Sequence, residues 1–246
     1  MGVELQKGGV KLFFTVPNAF TLLNLISGFI SIYLAALSEY LLSFMFIVIA
    51  IVFDGLDGFV ARMLNAASDF GRELDSLCDE VSFGVAPAFL LVKITLDRNP
   101  GLIIYAVIVG AIFAAFGALR LARFNLFGSK EFFEGLAIPG AAFFAGLTII
   151  CIHTLNQIVS IVLTLATAFL MISPISFPST KTRIGIKSIC VSLVIGLVYF
   201  GIWIIVMHFP FDLVLYILWL LFCMMLSYVT VAPIVFGRML RRLQKI

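Results

Sequence analysis

The sequence predicts an all-α integral membrane protein of about eight transmembrane helices, preceded by a short N-terminal interfacial helix. Three observations lead there. Hydrophobic residues make up 63% of the 246-residue chain and the mean hydropathy is +1.19, outside the range of an ordinary soluble domain. Apolar stretches of roughly 20 residues, enough to cross a hydrocarbon core, recur along nearly the whole length. Finally, the basic residues fall almost entirely on one side of the topology those stretches define.

Taken in order, Met1 to Phe14 is mildly polar, with Lys7 and Lys11 beside Leu5, Val10 and Leu12, the pattern of a surface-lying amphipathic piece that Gly8 and Gly9 interrupt. It has no signal-peptide cleavage pattern, so the first apolar segment is expected to remain as an anchor. Apolar length, punctuated by charge, Pro and Gly, then places helices near 17–37, 41–63, 69–94, 101–123, 135–155, 158–178, 186–207 and 211–235. An even number of spans puts both termini on one side. Lys7, Lys11, Arg62, Arg72, Arg120, Arg123, Lys130, Lys181, Arg183, Lys187, Arg238, Arg241, Arg242 and Lys245 share that side, and only Lys93 and Arg98 lie on the other. The positive-inside rule therefore makes the shared side cytoplasmic. The formal net charge of +3 reads as topology and attraction to anionic membrane lipids; no aromatic-interleaved basic groove points to nucleic acid.

Cys78, Cys151, Cys190 and Cys223 stand singly inside apolar stretches, without metal-ligand spacing, and are read as packing residues. His153 and His208 fall near helix ends on the side opposite the acidic residues below and are read as interfacial. No internal repeat with matching broken helices is present, which counts against a secondary transporter.

Acidic side chains inside membrane spans are costly and mark functional sites by default. The second span closes with Asp54, Asp57, Gly58, Ala61 and Arg62, and the third opens with Gly71, Asp75 and Asp79. Asp54 and Asp57 are three apart and Asp75 and Asp79 four apart, so each pair shares a helical face, and two antiparallel helices can bring the four carboxylates together. Four anions in a partly dehydrated site call for cations. Oxygen-only ligands suit Mg²⁺, Mn²⁺ or Ca²⁺, and a paired divalent-metal site in turn suggests chemistry on a phosphate. Gly55, Gly58, Ala61 and Gly71 clear space for a flat nucleotide near the backbone, and Arg62 can hold a carboxylate or phosphate by a two-pronged contact. The plainer alternative is a helical hairpin in which the carboxylates pair with Arg62 and Arg72, or carboxylates that simply mark the end of a membrane span.

The stretch resembles the CDP-alcohol phosphotransferase signature, an Asp-x-x-Asp-Gly-x-x-Ala-Arg block, eight residues, then Gly-x-x-x-Asp-x-x-x-Asp. Asp54, Asp57, Gly58, Ala61, Arg62, Gly71, Asp75 and Asp79 match every fixed position. The resemblance implies Asp54, Asp57 and Asp75 as principal ligands of two Mg²⁺ or Mn²⁺ ions, with Asp79 contributing to the metal site and acting as general base. It implies a cytidine nucleotide resting against Gly58, Ala61 and Gly71, attack by an acceptor hydroxyl on the phosphate next to the lipid, release of CMP, and a homodimer.

The acceptor has to be read elsewhere. Ala118 to Asn125, with Arg120 and Arg123, and Phe133 to Ala142 both look like the phosphatidylserine synthase branch, as does the opening Pro17-Asn18-Ala-Phe-Thr21-Leu-Leu-Asn24. Ala137 departs from the branch, which often has proline there. Arg120 and Arg123 can present guanidinium groups to a serine carboxylate and to the lipid phosphate or nucleotide diphosphate, and Asn125 can bind the serine amine or hydroxyl. Their alternative role is as anchors at lipid headgroups. Thr21 and Asn24 can touch the nucleotide, while Pro17 and Asn18 can equally serve only to start the helix.

The resulting division is an interfacial segment at 1–16, a catalytic core at 17–145 and further transmembrane helices at 146–246, forming a lipid-facing wall or a dimer surface. The expected substrates are L-serine and either CDP-diacylglycerol or CDP-archaeol, the two donors sharing one headgroup chemistry. One alternative is a relative that uses glycerol phosphate or inositol phosphate, with Lys181, Arg183 and Lys187 binding the extra phosphate. A more remote one is a divalent-cation transporter built on the four aspartates, which leaves the small residues and Arg62 without a purpose.

Overall fold

The structure, a computed structural model, describes residues 15–66, 68–127, 133–152, 156–177, 190–192, 194–199 and 213–243. The expected interfacial helix, Lys130, His153, His208 and the cluster Lys181, Arg183 and Lys187 lie outside the described residues.

The first helix, α1 (Val16–Ala36), carries Pro17 in its opening turn, where the missing N–H costs nothing. Asn18, Thr21, Asn24, Ser27, Gly28, Ser31 and Ala35 recur at helical spacing as its buried stripe, so α1 turns a polar, small-residue face inward and leaves Phe29 and Tyr33 exposed. A turn with Ser38 in the left-handed region (φ 66°) leads into α2 (Tyr40–Met63), which packs along α1. Beyond α2, Ser68 caps α3 (Asp69–Asp79) by accepting from the Gly71 N–H at 3.0 Å.

From α3 the chain runs without interruption through a π-helical turn, Glu80–Val85, into α4 (Ala86–Arg98). Pro87 supplies the reason for the wide turn: it has no N–H for the carbonyl four residues back, and its ring crowds that position. The predicted span at 69–94 is therefore one rod of helix ending at Arg98, with a local expansion in it. Gly28 faces the expansion so closely that a Cβ there would stand 2.7 Å from the Ser82 Cα.

A 3₁₀ turn, Pro100–Leu102, precedes α5 (Ile103–Phe127), which runs past its expected end and so carries Asn125 as well as Arg120 and Arg123. Then follow α6 (Ile138–Ile152), α7 (Gln157–Ile172), the apolar α8 (Cys190–Tyr199) and α9 (Leu213–Leu243). The boundaries at 135 and 178 shift inward because the flanking residues form a two-residue antiparallel pair, β1 (Phe133–Glu134) with β2 (Ser176–Phe177), in the register Phe133 to Phe177. Gly135 turns out of it at φ 77°, its amide donating to the Ile175 carbonyl at 2.9 Å.

The apolar core lies among α4, α5, α6 and α9, with Leu90, Leu91, Phe113, Ala141, Ala145 and Phe222 buried and Phe144 stacked on Phe222 at 5.7 Å. Among the described residues, Val16–Ala36, Tyr40–Met63 and Pro100–Leu126 are long and apolar enough to cross a bilayer, and Ile138–Cys151, Gln157–Ile172, Cys190–Tyr199 and Ile217–Val231 are shorter apolar helices. Ile104, Tyr105, Phe169 and Val194, all more than half exposed, give these helices an apolar outer surface. Among the described residues the protein is helical apart from the small strand pair, and its apolar helices are those of a membrane protein.

Candidate active site

Asp54, Asp57, Gly58 and Ala61 occupy one face of α2 at spacings of three, four and seven, and that face meets α3 across the short turn at 64–68. One carboxylate oxygen from each of Asp54, Asp57 and Asp75 lies within 4.8 Å of the other two. Thr21 on α1 donates to Asp57 Oδ2 at 2.8 Å, whereas Asp75 Oδ1 is buried with no hydrogen-bond partner. Three convergent carboxylates with an orphaned oxygen suit an oxygen-ligated divalent cation, and a neutral buried cluster would not be built this way.

The fourth aspartate stands apart from this trio. Asp79 is 6% exposed, one turn further along α3, and accepts from Asn24 Nδ2 at 2.8 Å. Ser82, in the π turn, donates to the Asn24 carbonyl at 3.0 Å, so the polar stripe of α1 holds both Asp57 and Asp79. Beside the trio opens a cleft of about 170 Å³ lined by Thr21, Asp57, Gly58, Ala61, Gly71, Arg72 and Asp75, with Ala66 and Ser68 at its edge. Gly71 lies at a tight crossing, where an added Cβ would come within 3.2 Å of Asn18 Oδ1 and 3.1 Å of Ser68 Oγ; around Gly55 the space is open.

Arg62 is exposed and folds back over Gly58, its Nη1 3.4 Å from the position of a Cβ there. Arg72 pairs with Asp69 at 3.0 Å. Among the described residues neither arginine forms an ion pair with the four aspartates, so the plain hairpin of paired charges does not account for the cluster.

The three α5 residues go different ways. Arg120 is 7% exposed, lies over the Phe124 ring at 5.9 Å, leaves Nε without a hydrogen-bond partner and stands in the field of Asp79 and Asp54. Arg123, one turn on, directs Nη1 to the Ile172 carbonyl at 3.3 Å and Nη2 to the Met171 carbonyl at 3.5 Å, at the C-terminal end of α7. Asn125 donates to Ser76 Oγ at 2.9 Å, beside Asp75. Asn24, expected at the nucleotide, directs its amide to Asp79 and is not part of the cleft wall, while Thr21 is. One residue tied to the site was missed by sequence reasoning, Ser82, whose hydroxyl holds the Asn24 carbonyl.

The sequence profile of CDP-alcohol phosphatidyltransferases matches residues 14–177, the stretch that holds every side chain just described. The chain belongs to the CDP-alcohol phosphatidyltransferase family. Among similar proteins, a CDP-diacylglycerol–serine O-phosphatidyltransferase of Methanocaldococcus jannaschii is 38% identical over 213 residues, covering 85% of this chain and 97% of the relative. Its Bacillus subtilis namesake is 36% identical over 168 residues, or 68% of this chain and 91% of the relative. An archaetidylserine synthase of Methanothermobacter thermautotrophicus is 35% identical over 172 residues, or 68% and 70%. Membership of the CDP-alcohol phosphatidyltransferases makes the chain an enzyme and sets the cation-transporter alternative aside.

Proposed function

We propose that this CDP-alcohol phosphatidyltransferase moves the phosphatidyl or archaetidyl group of a CDP-linked lipid onto the hydroxyl of L-serine, releasing CMP. The observation that carries the reading is the convergence of Asp54, Asp57 and Asp75 beside an Asp79 held separately by Asn24. The names of the similar proteins supply the acceptor.

Asp54, Asp57 and Asp75, with help from Asp79, would hold divalent cations, Mg²⁺ or Mn²⁺ and two per site. Bound there, the ions neutralise the diphosphate and the charge that develops on it. Gly58, Ala61 and Gly71 leave the cleft wall open to a flat cytidine, Thr21 lines the same cleft, Arg62 folds over Gly58 to reach the nucleotide, and Asn24 orients Asp79. Asp79 takes the proton of the serine hydroxyl as its oxygen bonds to the phosphorus on the lipid side. The bond from that phosphorus to the CMP oxygen breaks, and CMP leaves with the electron pair. Arg120 meets the serine carboxylate from α5, and Asn125 stands ready for its amine or hydroxyl. Arg123 fixes α5 to the end of α7 and thereby places Arg120.

In this reading the chain crosses the bilayer about eight times, with both termini and the site on the cytoplasmic face. Residues 17–145 form the catalytic core, 146–246 complete the membrane domain, and two copies associate as a homodimer. CMP release by purified protein with CDP-diacylglycerol or CDP-archaeol and Mg²⁺ or Mn²⁺ tests the acceptor directly. Release with L-serine, and none with glycerol 3-phosphate, inositol or inositol phosphate, is expected; release with one of the others only would overturn serine while keeping the chemistry. Asp79→Asn is expected to retain CDP-lipid binding and to lose turnover by about 10²–10⁴-fold, and normal turnover would remove Asp79 from the role of base.

A further inference from the structure

A polar relay joins α3 to the end of α5. Asn125 Nδ2 donates to Ser76 Oγ at 2.9 Å, and Ser76 gives its own proton to the Arg72 carbonyl at 3.1 Å, one turn back on α3. A hydroxyl has one proton to give, so the oxygen facing α5 accepts, and the Asn125 amide is fixed with its nitrogen toward it. Ser76 follows Asp75 of the carboxylate trio directly and comes one turn before Asp79.

The relay is one of two fixed points along this pair of helices. At the other, α5 meets the π turn so closely that a Cβ on Gly117 would stand 3.7 Å from the Gly84 Cα, and Ile138 of α6 closes the contact, 2.9 Å from the same position. Asn125 is eight residues after Gly117 and Ser76 eight before Gly84, so the two helices run antiparallel and in step over about 12 Å. Arg120 and Asp79 both fall inside that interval, and Asp79 is the foremost of the carboxylates in whose field Arg120 stands. Apolar packing sets the helix spacing at the Gly117 end. At the Asn125 end, Leu77 and Leu126, the neighbours of the two partners, turn outward at 69% and 75% exposed, so the hydrogen bond holds what packing does not.

We propose that Ser76 is a positioning residue: by holding Asn125 it fixes the end of α5 against α3 and keeps Arg120 opposite Asp79. The inference rests on the serine reading above, in which Arg120 meets the acceptor carboxylate, and adds the bond that sets the guanidinium relative to the base. A helix end released at one of two fixed points pivots about the other, and a small displacement of a group that orients a substrate is enough to weaken its hold.

The test is steady-state CMP release by the full-length protein in detergent, with L-serine and CDP-lipid each varied, for the wild type, Ser76→Ala, Arg120→Ala and the double variant. Ser76→Ala is expected to raise the KM for L-serine about three- to tenfold and to leave kcat and the KM for CDP-lipid within about twofold. In the Arg120→Ala background the same change is expected to have no further effect on kcat/KM for serine, since no guanidinium is then left to misplace. An unchanged serine KM in Ser76→Ala, equal losses in the two backgrounds, or a matching rise in the KM for CDP-lipid, which would mean that Ser76 acts through Asp75, overturns the assignment of Ser76 while leaving the serine reading intact. A wild-type protein that uses another acceptor and not serine overturns both.

Discussion

Two polar clusters occupy opposite ends of the layer formed by α1, α2 and α4, and they differ in how completely they satisfy themselves. At one end, Asp97 accepts from Lys93 Nζ at 2.6 Å, from Ser38 Oγ at 2.7 Å and from the Tyr40 hydroxyl, tying the α1–α2 turn to α4. These bonds, that of Lys93 first, hold the Asp97 carboxyl well below the usual carboxylate range. At the other end, Asn24 Oδ1, Asp75 Oδ1, Glu80 Oε2 and Arg120 Nε are buried without partners. A closed network serves the fold, and an open one, costly in the resting protein, is kept for what it binds.

The comparison breaks most easily at the open end. Asp57→Asn and Asp75→Asn are each expected to lower CMP release by at least about 10²–10³-fold. Chelation should do the same to the wild type, and added Mg²⁺ or Mn²⁺ should restore it. Activity indifferent to chelator would end the account of the aspartates as cation ligands. Next in size, Asn24→Leu removes the amide that orients Asp79, and kcat is expected to fall about 10–100-fold with the KM for CDP-lipid little changed. A variant that lost CDP-lipid affinity instead would return Asn24 to the nucleotide.

Arg120 and Arg123 sharpen the contrast within one helix. Arg123→Ala removes charged donors from the end of α7 and is expected to cost about 1–3 kcal/mol of stability, read from denaturation in detergent, whereas Arg120→Ala should chiefly raise the serine KM. The reverse pattern would exchange their roles. Smallest of all, Asp97→Asn should cost about 1 kcal/mol or less, and its dependence on pH has a definite sign. Because the folded pKa is depressed, the advantage of the wild type over Asp97→Asn is fully present above the unfolded value of about 3.9 and declines only as the pH falls below it. An advantage lost between pH 7 and 5 would show that the knot is not held by the ionised carboxylate.

Much of this was legible along the chain. The all-helical class follows from apolar length, because a bilayer admits few other ways to satisfy the backbone. The acidic constellation was legible because spacings of three, four and seven fix a common helical face wherever the helix lies. Helix ends were read less well: the inward shift of the boundaries at 135 and 178 depends on a pairing between segments some forty residues apart, and the π turn depends on Pro87 together with the close approach of Gly28.

By itself, then, the sequence determined that the chain is a helical membrane protein, that four aspartates fall on the facing ends of its second and third helices, and that it resembles the CDP-alcohol phosphotransferases. The first rests on composition, the second on periodicities within one helix, and the third on eight fixed positions at set spacing. Only the tertiary structure decided that Thr21 serves Asp57 while Asn24 serves Asp79, that Arg120 faces the carboxylates while Arg123 holds the end of α7, and that Glu80 lies between Gly84 and Gly117. Residues three apart on a helix differ by about 60° in direction, and which neighbour each then meets depends on how the helices cross.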